Sequence, residues 1–327
     1  MAVQHRSTAG PSQVVVIGAG WGGWGAAKAL CQAGVRVTLV DGLADPTGST
    51  PLTTASGKPF EAGTRGFWRD YPNINALTDE LGLSNVFTDF TSSAFWSPQG
   101  LEATAPVFGD GLQLPSPLGP AFATISNFKR LPVADRLSIA ELLVAMLDLN
   151  RSAAVYARYD ALDALSLFRQ LQISERMIDE FLRPILLVGL FKPPEALSAA
   201  VTMELLYYYA LAHQDSFDVR WIRSRSIGEQ LLAPLSQRLG REHQLQVLGG
   251  TLAARLNVSP ENGAIESVQT RSLATGETGL IDDVNAVVLA VGARGLGSLM
   301  AASPQCAALA PELLRAGELG AIDVVSV

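Results

Sequence analysis

Cysteine and histidine are nearly absent from this chain, at two and three residues in 327. Cys31 and Cys306 show no C-x-x-C spacing, so no disulfide framework is implied and a reducing compartment is the expected setting. His5, His213 and His243 are scattered, with no H-E-x-x-H and no G-x-S-x-G elbow, which removes the common zinc and serine hydrolase signatures. Charge is sparse too: 17% of residues are charged and the net charge is −7, so there is no cationic footprint for nucleic acid. The longest apolar runs, 184–191 and 205–212, fall short of the roughly 20 residues of a membrane-spanning helix. The residues before Pro11 are polar and contain no apolar signal core, so the expected location is cytoplasmic and not secreted.

What the chain has in quantity is glycine, 30 residues, and three of them are placed meaningfully. Val14, Val15, Val16 and Ile17 form a β-branched run suited to a buried strand, and Gly18, Gly20 and Gly23 follow it in G-x-G-x-x-G spacing. The first glycine permits a tight turn, the second lets backbone approach a pyrophosphate, and the third lets the helix pack on the sheet. Ala19, Trp21 and Gly22 complete this turn, whose helix N-terminus offers free N–H groups to an anion. Ala27 and Leu30 continue the helix, Gly34 ends it, and Val35, Val37, Leu39 and Val40 make a second strand. Asp41 then stands where a carboxylate accepts from a ribose 2′-hydroxyl and repels a 2′-phosphate, which disfavours NADP. Between FAD and NAD, Ala27 tilts the reading towards FAD.

Beyond Asp41, residues 42–59 are rich in Gly, Ser, Thr and Pro and read as a long loop. A helix is expected over 74–81, capped by Gly82. Residues 120–226 repeat apolar positions at i, i+3 and i+4 and read as a helical insertion, with Tyr207, Tyr208, Tyr209 and the segment 217–221 as candidate tunnel lining against the alternative of ordinary core packing. Further on, 231–239 reads as a helix, 245–248 as a strand partnered by 252–257 across Gly249 and Gly250, 264–273 and 279–281 as a hairpin, and 286–292 as a buried strand ending in Gly292.

The run FEAGTRGFWRDYPNINALTDELGL, starting at Phe60, resembles the second FAD-contacting segment of carotenoid desaturases in the flavin amine oxidase superfamily. The stretches 173–200 and 216–221 are similar to the helical substrate domain of desaturase-like flavoproteins from photosynthetic bacteria and plastids. The resemblance implies an α/β protein with a Rossmann-like FAD-binding domain and an inserted, mainly helical substrate domain. Its first half would be 11–119, the substrate domain 120–227, the second half 228–300, and 301–327 the start of an incomplete C-terminal segment. It also implies Gly63 and Thr64 by the isoalloxazine, Gly48 in the loop after the second strand, backbone around Leu252 facing the adenine, and Gly292 near the cofactor. Arg65 would be the first side chain to mutate.

Two departures stand out. No arginine follows the second strand until Arg65, leaving Ser49 and Thr50 as weaker pyrophosphate donors. The chain also stops at 321–327, a strand-like run where relatives continue, so it reads as truncated. The implied activity is FAD-dependent oxidation or desaturation of a lipophilic carotenoid or isoprenoid, with possible peripheral contact at a photosynthetic membrane. The alternatives are a non-catalytic flavoprotein-like binder, a flavin amine oxidase with another substrate, and, more weakly, an NAD-dependent dehydrogenase.

Overall fold

The computed structural model describes residues 12–50, 52–60, 66–69, 71–83, 85–91, 94–104, 128–208 and 219–319. The expectations that rest on Gly63, Thr64, Arg65, Tyr209, Phe217 and the final run 321–327 lie outside these residues.

Along the chain the strands are β1 (Gln13–Ile17), β2 (Arg36–Val40), β3 (Leu52–Thr53), β4 (Pro59–Phe60), β5 (Phe67–Trp68), β6 (Ala94–Ser97), β7 (Gly100–Thr104), β8 (Val219–Arg220), β9 (Leu245–Leu248), β10 (Thr251–Val258), β11 (Ile265–Ser272), β12 (Thr278–Ile281) and β13 (Ala286–Leu289). The helices used below are α1 (Trp21–Gln32), α2 (Pro72–Glu80), α3 (Val133–Leu137), α4 (Ala140–Asp148), α5 (Ala153–Asp160), α6 (Ala164–Gln170), α7 (Arg183–Gly189), α8 (Ala199–Tyr207), α9 (Ala233–Glu242) and α10 (Ala293–Ala301). Chain contacts divide the protein into two compact units: the described residues of Met1–Thr64, Thr78–Val86 and Ile222–Ala321, and those of Arg65–Leu77 and Phe87–Trp221. The segments 66–77 and 87–104 therefore pack with the helices, where the sequence reading groups them with the first half of the nucleotide domain.

The first unit is built on a parallel sheet of order β13-β1-β2-β9. Its β-branched β1 is central, and Val15 and Val16 are wholly buried, as are Val37, Leu39 and Val40 on β2. On α1, Trp24, Ala27 and Cys31 recur at helical spacing and all three are buried on the side that meets the sheet. The helix ends because Gly34, at φ +79°, takes a left-handed turn that its Cβ-bearing neighbours avoid. A second, antiparallel sheet, β10-β11-β12, shares a core with the first through Val15, Ile17, Val40, Leu256, Val268 and Met300.

Four sequence expectations change here. β9 runs parallel to β2, and β10 pairs antiparallel with β11, so Gly249 and Gly250 join two different sheets and do not close a hairpin between β9 and β10. β13 spans only Ala286–Leu289 and is half-exposed, because it forms an edge of the described sheet. The segment 42–59 is not wholly irregular, since β3 and β4 pair across it. The helix expected at 74–81 is α2, Pro72–Glu80.

The second unit packs its helices around Leu142, Met146, Phe168, Met177, Ile178, Leu186 and Met203. Asp163 caps α6: its carboxylate accepts from the Ser166 amide at 2.8 Å and from the Ser166 hydroxyl at 2.6 Å, satisfying one of the four orphan donors of a helix start. Tyr207 is half-buried against this core, which favours packing over tunnel lining for that ring.

Candidate dinucleotide site

The glycine turn is held by the strands around it. Gly18 N–H donates to Val40 C=O at 2.8 Å, Ala290 N–H to Ile17 C=O at 2.8 Å, and Trp24 N–H to Gly20 C=O at 3.0 Å. Two of the three glycines are demanded by packing. A Cβ on Gly18 would lie 2.4 Å from Ala290 O, and one on Gly23 would lie 1.8 Å from Gly18 O. Gly20 differs: it is exposed, in ordinary extended backbone, and an added Cβ would meet nothing within 4 Å. The fold does not require a glycine there, so the open space beside it is available to a ligand.

Asp41 faces this turn. Its Oδ2 accepts from the Ala19 amide at 2.7 Å and its Oδ1 from the Leu43 amide at 2.7 Å. A carboxylate has about four acceptor positions, so two remain for ribose hydroxyls while the other two brace the loop. Leu252 lies beside this end of β2, its Cδ2 being 3.2 Å from where a Gly42 Cβ would stand, and it is partly exposed. Gly292 is the N-cap of α10, three residues after the end of β13. Gly18, Ala19, Gly20 and Asp41 are thus brought together by hydrogen bonds, and Gly292 lies on the neighbouring strand's exit.

The loop after β2 holds a network that the sequence reading missed. Asp45 Oδ1 accepts from Thr47 Oγ1 at 2.6 Å and Thr47 N at 3.0 Å, while Oδ2 accepts from Ser49 Oγ at 2.5 Å and Thr50 N at 3.1 Å. Ser49 and Thr50, expected as pyrophosphate donors, therefore serve an internal carboxylate. The run Asp45-Pro46-Thr47-Gly48 carries the signature of an Asx turn, which is the signal that could have found it. Trp24 Nε1 donates to Pro46 O at 3.2 Å, and a Cβ on Gly228 would fall 2.3 Å from Gly48 C, so the loop is clamped from two sides. Gly48, at φ +66°, is the exposed corner of this turn.

Burial alone would push the Asp45 carboxyl up, but the Ser49 and Thr47 hydroxyls and the Thr50 and Thr47 amides outweigh it and hold the group well below the usual carboxylate range. A depressed folded-state value means the network stabilises fully above the unfolded value, roughly 4, and is lost as pH falls through the folded one. The melting temperature is accordingly expected to fall faster on acidification from pH 5 for the wild type than for Asp45→Ala. Parallel acid limbs would contradict the assignment.

Residues 16–81 match the NAD(P)-binding Rossmann-like domain family. The sheet and its turn form a Rossmann-like dinucleotide-binding fold. The chain is 28% identical over 173 residues to the tomato (Solanum lycopersicum) protein 15-cis-phytoene desaturase, chloroplastic/chromoplastic, covering 52% of this chain and 29% of that protein. It is 27% identical over 322 residues to the carotenoid phi-ring synthase of Streptomyces griseus, covering 93% of this chain and 57% of that protein. Among solved structures, cyclohexylamine oxidase from Brevibacterium oxydans IH-35A superposes with a TM-score of 0.54 at 17% identity, covering 89% of this chain and 60% of that one. The chain thus spans between about a third and three fifths of the relatives it matches.

In the helical unit, a cavity of about 110 Å³ is lined by Trp96, Phe128, Phe181 and Ile185, with Arg130 bridging Glu102 and Glu180 at its polar end. Small-molecule pockets run from roughly 300 Å³ upward, so this cavity is too small to be the pocket of a long polyene. Among the described residues no cluster of His, Cys, Asp and Glu could hold a metal ion.

Proposed function

We propose that the chain binds FAD at the carboxyl end of β1 and is an oxidoreductase for a lipophilic carotenoid or isoprenoid. The observation that carries the binding half is Gly20: a glycine the packing does not need, at the position where a pyrophosphate must approach backbone. Gly18, Ala19, Trp21, Gly22 and Gly23 shape the turn, Asp41 takes the ribose, and the space by Leu252 takes the adenine. Gly63 and Thr64 are kept as flavin-side residues on the resemblance alone.

When bound, FAD would supply a ring able to accept a hydride. The chain's own work is then to bind and orient. The amides at the start of α1 meet the pyrophosphate, and the free acceptor positions of Asp41 hold the ribose while rejecting a 2′-phosphate. The carotenoid reading draws support from the names of the desaturase and ring-synthase relatives.

Peripheral contact with a membrane, a photosynthetic one on the resemblance, draws support from Val133, Leu137, Val144 and Leu147. They recur at three- and four-residue helical spacings along α3 and α4 and are all at least half exposed. Among the described residues no helix is long and apolar enough to cross a membrane. A binder without turnover is the second reading, favoured by the loop after β2, which presents a carboxylate and no cation.

The test is to load the protein with FAD, remove free flavin, and add 15-cis-phytoene in lipid vesicles without oxygen. Bleaching of the visible flavin band by phytoene, and not by a saturated isoprenoid, is the expected result. A band that dithionite bleaches but no polyene or amine does would establish the binder reading instead.

A further inference from the structure

The pairing of β1 with β13 sets two helix starts level with each other. Ile17 stands opposite Leu289, and three residues beyond each lies an N-cap glycine, Gly20 before α1 and Gly292 before α10. Paired strands run about 4.8 Å apart, and Gly18 lies so close to Ala290 that an added Cβ would strike its backbone. Both helices therefore open at the same end of the sheet, on adjoining parallel strands. Ligands of such sheets bind outside the carboxyl ends of the strands.

A pyrophosphate there meets an acidic chain. Net charge is −7, Asp41 faces the glycine turn, Asp45 lies in the loop after β2, and no Lys or Arg occurs between Arg36 and Lys58. The hydroxyls of the loop after β2 are already committed to Asp45. On the β13 side the balance is different. Arg294 is the second residue of α10, is exposed, and makes no hydrogen bond or ion pair with any described residue. A cation in the first turn of a helix sits against the positive end of the helix dipole, an unfavourable place unless an anion shares it. The neighbouring turn Pro311–Glu318 packs on α10 through Gly297 and Gly317, and neither of its carboxylates, Glu312 or Glu318, forms an ion pair with Arg294.

We infer that Arg294 is the cation that meets the phosphates of the dinucleotide, reached from the exit of β13 and not from the loop after β2. The inference rests on the dinucleotide reading above and assigns to it a residue that neither the glycine motif nor the matched family segment contains. Its guanidinium can hold two phosphate oxygens at once while the α1 amides hold the others.

The test is calorimetric titration of ADP and of adenosine into the wild type, Arg294→Gln and Arg294→Lys, with melting curves to confirm that the exposed substitutions leave the fold intact. Arg294→Gln is expected to weaken ADP about tenfold, the effect of one charge-assisted contact, with adenosine unchanged and the salt dependence of ADP binding reduced. Arg294→Lys should retain most of the affinity. Equal ADP affinities and salt dependences for the wild type and Arg294→Gln overturn the role of Arg294 and leave the dinucleotide site standing. A wild type that binds ADP, adenosine and FAD not at all overturns both.

Discussion

Gly23→Ala is expected to lower the melting temperature by about 10 °C, the largest stability loss of any single methyl addition in the first helix. The added carbon would stand 1.8 Å from the carbonyl oxygen of Gly18, which is backbone and cannot swing aside. Overpacking a close contact costs about 1–3 kcal/mol, more where main chain must move, and a unit of this size loses roughly 2–4 °C per kcal/mol. Gly25→Ala is the matched control. Gly25 is exposed, meets nothing within 4 Å, and lies inside the same helix, so alanine there should stabilise by about 0.5–1 kcal/mol. Differential scanning calorimetry of the two variants checks the pair. Similar melting temperatures for both would mean that α1 does not seat on the turn as described.

Gly20→Val should do the reverse: leave the fold nearly intact and abolish most dinucleotide binding. Gly20 has φ −69° and ψ −176°, a conformation open to any residue, and its surroundings are empty. The expected stability cost is that of a poorer N-cap, about 1 kcal/mol. The branched side chain, however, fills the space through which a pyrophosphate reaches the amides of α1, and affinity for FAD or ADP should fall by at least about tenfold. Fluorescence titration with FAD, alongside a melting curve, reads both quantities. Undiminished binding by a well-folded Gly20→Val protein would remove the glycine turn from the site.

The contrast between Gly23 and Gly20 marks what a sequence alone can and cannot convey. The first βαβ unit was legible because all its parts are local: the Val14–Ile17 strand, the glycine turn, the Ala27–Cys31 face and the second strand follow one another between Gln13 and Val40, and each obeys its own period. Gly23 is fixed by a local contact with Gly18, but that Gly18 itself is fixed depends on Ala290, far along the chain, and the register that pairs Ile17 with Leu289 leaves no trace in either strand's composition. The same distance explains the pairing of Leu245–Leu248 with β2 in place of its sequence neighbour. Two short apolar runs separated by two glycines look like a hairpin, and only the empty edge of β2 decides otherwise. The Asp45 network was local enough to be seen, but its hydroxyls were read as ligands for something outside the chain, when the carboxylate four and five residues away claims them first.

The most direct measurement is the visible absorption spectrum of the purified chain after incubation with FAD and removal of free flavin. Retained, stoichiometric flavin is expected in the wild type, and its loss in Gly20→Val at unchanged fold. A wild type that emerges folded and colourless, with no measurable affinity for FAD, would contradict it.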